Sequence, residues 1–133
     1  MSSYMHLESL CGSILGLNKS IQSVAFINNK GRPLEKTSRP TFTKQFPDHL
    51  SELFCMQHVL QVSMGRDFDE NYGPVNYHIS ERMHLTTLTF PVDEYVILVT
   101  TTKNVSPITL ARRIADTINK YRNELCALKS GST

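Results

Sequence analysis

Five histidines, His6, His49, His58, His78 and His84, and three cysteines, Cys11, Cys55 and Cys126, are the side chains of this sequence best suited to hold a metal or attack a substrate. Thiolates and imidazoles bind zinc when three or four converge, which in sequence shows as paired ligands at short spacing. No CxxC pair and no HExxH occurs. An odd number of widely spaced cysteines also argues against a disulfide framework, so ordinary buried or half-buried thiols are expected. A two-residue turn at Glu81-Arg82 would set His78 opposite Leu85 and His84 opposite Ile79. The two imidazoles would then lie on opposite faces of a hairpin and could not share an ion. No metal site and no cofactor is expected.

Two further segments approach known motifs and miss them. In GSILGLNKS, Gly12 to Ser20, the glycines precede Lys19-Ser20, but the spacing departs from GxxxxGK[ST] and the segment leads into a strand instead of leaving one. Asp67, Asp69, Asn71 and Gly73 have the look of a calcium loop, yet the glycine falls one place late and His78 stands where a bidentate glutamate is needed. There is no GxSxG, and no serine, histidine and aspartate that the elements would bring together. No catalytic residue is named, and the protein is not expected to be an enzyme.

The chain that must position any site has 133 residues, 40% of them hydrophobic and 20% charged. This suits one domain with a core of its own, residues 1–128, followed by a disordered tail at 129–133. Fourteen basic against twelve acidic residues give a formal charge of +2. That balance leaves no footprint for nucleic acid or a membrane surface; Arg112, Arg113, Lys120 and Arg122 are interleaved with Asp116 and Glu124. Met1 to Leu10 has no basic stretch followed by an apolar run, and no segment reaches eighteen uninterrupted apolar residues. The expectation is a cytoplasmic protein.

Leu7, Leu10, Ile14, Leu17 and Ile21 recur at three and four, predicting a helix over Ser3 to Lys19. A strand follows at Ser23 to Ile27, closed by the turn residues Asn28-Asn29-Lys30-Gly31 and answered by a second strand to Ser38. Pro47-Asp48 opens a helix that runs to about Arg66. After Gly73-Pro74 come an alternating strand, Val75 to Ile79, then Met83 to Phe90, then Tyr95 to Val99. Ser106-Pro107 starts a last helix with Ala111, Ile114, Ile118, Tyr121 and Leu125 in step. The order α-β-β-α-β-β-β-α implies an α+β fold: one five-stranded, mostly antiparallel sheet with helices on both faces. Ser23–Ile27 and Tyr95–Val99, apolar at odd and even positions, belong in its centre.

Three helices over two faces leave one face with a single helix. The middle helix carries apolar residues on more than one side, so it needs a second surface, and a second copy of the chain would supply one. Cys55, Met56, Val59 and Val62 on that helix are the candidate dimer residues, together with Val75, Tyr77 and Ile79 on a strand whose unpaired edge must be protected.

SVAFINNKGRPL at the first hairpin and YHISERMHLTTLTFPVDEYVILVTT through the meander resemble the roadblock/dynein light chain family, over about Leu7 to Leu125. RDFDENYGPVNYHISER followed by the meander is similar to a group of uncharacterised archaeal proteins with this fold. The resemblance implies a homodimer in which the third strand, Val75 to Ser80, pairs with its copy and the middle helices pack together. It further implies a non-enzymatic platform for a small GTPase or a GTPase-containing complex. Arg66, Glu70, Glu81 and Arg82, at loop or helix ends near the expected seam, are the candidate partner contacts. The rival reading is a PAS-like or profilin-like sensor with a small ligand or peptide between sheet and helix. Such a site needs convergent polar groups, which the central strands do not offer.

Overall fold

The computed structural model describes residues 2–41 and 48–131, with side chains placed over 6–41 and 49–123. The connection expected through Phe46, the helix start at Pro47 and the side chain of Cys126 lie outside the described residues. The elements run α1 (Ser2–Leu15), β1 (Ile21–Ile27), β2 (Pro33–Ser38), α2 (Asp48–Gly65), a 3-10 turn (Arg66–Phe68), α3 (Asp69–Tyr72), β3 (His78–Glu81), β4 (Thr86–Val92), β5 (Tyr95–Thr101) and α4 (Pro107–Gly131). The expected order holds, with the short helical turns 66–72 added after α2. The last helix continues past Lys129, where a disordered tail was expected.

The five strands form one antiparallel sheet in the order β2-β1-β5-β4-β3. β1 and β5 sit centrally because both their faces are apolar. Along β1, Val24 and Phe26 point to one layer and Ala25 and Ile27 to the other. Val24 faces Val99 and Ala25 faces Leu98 across the ladder, so β5 sorts its side chains the same way.

On the first face α1 and α4 close a core with Leu10, Ile14, Leu110 and Ile114 over Val24, Phe26, Phe90 and Ile97. The Tyr121 hydroxyl joins the two helices by hydrogen bonds of 2.9 Å to the hydroxyls of Ser9 and Ser13. α1 stops at Leu15, earlier than the expected Lys19, because Arg39 takes over its carbonyl end. The guanidinium donates to the carbonyls of Leu15 at 2.7 Å, Asn18 at 2.9 Å and Ile21 at 2.6 Å. One cation thus satisfies the last carbonyl of α1, at the dipole end that favours positive charge, and ties it to the turn at Asn18 and the start of β1 at Ile21.

On the second face α2 is the one helix among the described residues. Val59 and Val62 reach Ala25, Ile27, Val96 and Leu98, with Phe54, Cys55 and Met56 packed at the margin. Met56 also rests on the β1–β2 turn. Gly31 there has φ +82°, so the backbone requires glycine, and a Cβ on it would stand 2.9 Å from Met56 Cε and press that flexible side chain aside.

Two strand expectations are corrected. β3 begins at His78, not Val75. Carried back two residues, the register that sets His78 opposite Thr89 would set Asn76 opposite Pro91, which has no N–H for the ladder. The β3–β4 turn is tipped by Met83-His84, two residues later than Glu81-Arg82, with Arg82 N–H donating to Leu85 O at 2.9 Å. His78 therefore faces Thr89 and Ile79 faces Leu88.

Candidate functional site

α2 reads differently on its two sides. Towards the sheet, His58, Val59 and Val62 are buried. Outward, Leu53, Leu60 and Met64 are 62%, 53% and 69% exposed, with Leu50 at 42% one turn earlier. Intervals of three, seven and four keep these residues on one stripe of the helix. Phe68 and Tyr72 are exposed in the turns that follow α2.

The candidate dimer residues separate on this division. Val59 and Val62 are turned to the protomer's own sheet, where their side chains are withdrawn from water. Cys55 and Met56 are half-buried against the same cluster. Burial holds the Cys55 thiol above its ordinary pKa, with nearby Lys36 opposing and Glu52 adding to the rise, so it is not a poised nucleophile. Cys11, buried in the main core beside Glu35, is pushed up to about 12. Tyr77 and Ile79 pack onto the main core, Tyr77 with its ring centroid 6.0 Å from that of Phe90. Val75 is half-buried before the strand begins. The outward leucines and Met64 were present in the helical pattern but not separable from the inward set without knowing which stripe meets the sheet.

The charged candidates fall into two groups. Arg66 donates to the Asp93 carbonyl, tying the end of α2 to the β4–β5 turn, and Glu70 is exposed in α3. Glu81 and Arg82 stand at the opposite end of β3. There Glu81 Oε1 lies 3.7 Å from Lys103 Nζ on an exposed pair worth little to stability.

Beneath α2 the sheet becomes polar towards β3. Ser23 and Thr100 share a hydroxyl hydrogen bond of 2.5 Å, and Thr87 and Thr89 are buried. His58 Nδ1 lies 2.7 Å from the Phe54 carbonyl, an arrangement in which the ring N–H donates, and the two rings meet edge to face at 4.6 Å. Burial, with Arg82 and His78 nearby, holds the His58 pKa below its ordinary value against the pull of that carbonyl. Burial lowers His78 too. His78 Nε2 and Thr87 Oγ1 are shielded without a hydrogen-bond partner among the described residues. Among the described residues no three His, Cys, Asp or Glu converge as a metal site. No helix among them is long and apolar enough to cross a membrane.

A family model described as "Family of unknown function (DUF6659)" matches residues 5–129. The chain belongs to this family. Among curated proteins no relative matches. As a DUF6659 member it is similar in fold to a roadblock/LC7 domain from Streptomyces avermitilis, at TM-score 0.68 and 11% identity over 90% of this chain and 97% of that one. It is also similar to the gliding protein MglB from Thermus thermophilus, at TM-score 0.71 and 8% identity over 93% of each chain. MglC from Myxococcus xanthus aligns at TM-score 0.60 and 10% identity over 90% of this chain and 99% of the other. At such identities the likeness is one of fold: the DUF6659 chain has the roadblock architecture that its hairpin and meander suggested.

Proposed function

We propose that this protein is a homodimeric protein-interaction module with no chemistry of its own, working in the cytoplasm as a scaffold or regulator of a small GTPase or a GTPase-containing complex. The observation that carries the dimer is the exposed stripe Leu53, Leu60 and Met64 on the one helix that covers its face alone. Contiguous apolar surface of this kind marks association sites in water-soluble proteins. β3 lies beside it at the sheet edge, with its outer backbone groups open to a copy of itself. Cys55 and Met56 at the margin of α2, and Ile79 on β3, border that seam; Val59 and Val62 support it from within.

An MglB structure described as having a tetrameric arrangement supports self-association on this architecture. The partner class rests on the resemblance to roadblock proteins, and the nearness to an archaeal group rests on segment 66–82 and the meander. Arg66, Glu70, Glu81 and Arg82 are the first charges to replace. Titration of the purified protein against small GTPases of the same cell, in both nucleotide states, should return binding that differs between the states. Binding to none of them, with a pull-down that returns nucleic acid or a metabolite, would overturn the reading.

A further inference from the structure

A cleft of about 860 Å³ opens between α4, the segment leading into β3 and the last turn of α2. Its size is that of a small-molecule site. Its floor is apolar, made by Tyr77, Phe90 and Ile118, and one wall is a single face of α4 carrying Arg112, Asp116, Asn119 and Arg122. Arg122 is half-buried, and its Nε is shielded from solvent with no acceptor among the described residues. A donor withdrawn from water and unpaired among these residues is costly, so an acceptor supplied by a ligand in the cleft would stabilise the position.

The arrangement also sets the shape of that acceptor's owner. Asn119 stands one turn before Arg122 on the same face, so an amide and a guanidinium can meet one anionic group together. Arg112 lies ten positions before Arg122, about 15 Å along the helix axis, too far for a single phosphate or sulfate to reach both. Asp116 lies between them, and Asp69 and Asp93 contribute further carboxylates, so three acids balance the three arginines with Arg66 included. A cleft of no net charge does not attract a bare anion by its field; it selects by placed donors and acceptors. Carboxylates beside an anion site accept from hydroxyl or amino groups of the same ligand, as they do from ribose hydroxyls.

We propose that the cleft binds a small phosphate ester that carries hydroxyl or amino groups. Its phosphoryl oxygens accept from Arg122 and Asn119, its body lies over Tyr77 and Ile118, and its hydroxyl or amino groups donate to Asp116. The cleft takes Val62 and Arg66 from the end of α2 but none of the outward residues Leu53, Leu60 and Met64, so a monomeric protein would still carry it.

The test uses the full chain with 15N-labelled arginine, following the Arg122 Nε–Hε resonance during titration with adenosine monophosphate and, separately, with inorganic phosphate. The expected result is a saturable shift with the nucleotide and affinity for inorganic phosphate weaker by about tenfold, the equivalent of losing the body's contacts. Arg122→Gln, which lacks the reporting resonance and is titrated by calorimetry beside the unaltered chain, should weaken nucleotide binding by about tenfold, as loss of a charge-assisted contact does, while Arg32→Gln at the β1–β2 turn changes nothing. Asp116→Asn should weaken the nucleotide but leave phosphate unaffected. No saturable shift with the nucleotide, or equal affinity in Arg122→Gln and wild type, would overturn the site. Equal affinity for nucleotide and phosphate would overturn the ester.

Discussion

On one face of the sheet, α1 and α4 together bury Val24, Phe26, Phe90, Ile97 and Val99 under Leu10, Ile14, Leu110 and Ile114. On the other, α2 alone covers Ala25, Ile27, Val96 and Leu98, and the remaining width of the sheet is filled by threonines, His78 and the buried His58. The first face is a closed core. The second ends in apolar side chains that point to solvent. The same strands supply both, so the difference comes from how many helices the chain order allots to each side. Stability is concentrated where two helices pack, and the capacity to associate where one does.

A pair of identical truncations should expose that asymmetry most strongly. Val99 is fully buried under the two-helix layer and Val62 is buried under α2 near its open flank. Val99→Ala should lose about 2.5 kcal/mol, a transfer term plus an unrelieved cavity, and Val62→Ala about 1 kcal/mol, since α2 can settle inward. Chemical unfolding at one fixed protein concentration compares them. Equal losses would mean that both faces are packed alike. Next in size, Arg39→Ala removes a cation from three backbone carbonyls beneath α1 and should cost about 2 kcal/mol by the same assay. A loss within the range of ordinary surface changes would show the α1 end to be held by other means.

Much of this division is written in the residues. β1 and β5 declare themselves central by runs apolar at odd and even positions alike, Val24–Ile27 and Tyr95–Val99, and α2 declares a surplus of apolar sides. Three features are not legible, each for a physical reason. A helix with two apolar stripes does not say which meets the sheet, so Val59 and Val62 were indistinguishable from Leu60 and Met64. The β3–β4 tip moves by two residues without changing which side chains share a face, because strand alternation has period two. The alternation of Val75, Tyr77 and Ile79 imitates a strand, while the proline that interrupts its partner lies fifteen positions away at Pro91. Arg39 and the cleft against α4 depend on contacts between distant segments and leave no local pattern.

A smaller effect should follow pH. His58 and His78 both keep their pKa below the ordinary value of about 6.5 when folded, chiefly through burial. The unfolded chain therefore takes up protons first as pH falls, and stability that is full above that value declines below it until the folded imidazoles titrate as well. The decline should be reduced in His58→Gln, measured by thermal unfolding between neutral and mildly acidic pH. An unchanged slope would remove His58 from the account.

The smallest change in stability, and the most direct test of the interface, belongs to Leu60→Asp. Leu60 is 53% exposed, so the monomer fold should lose no more than about 0.5 kcal/mol. Light scattering coupled to size exclusion, at tens of micromolar, should give the unaltered protein twice the 15.1 kDa mass of the chain and Leu60→Asp a single chain mass. A mass of one chain for the unaltered protein would contradict the claim that the α2 face is an interface.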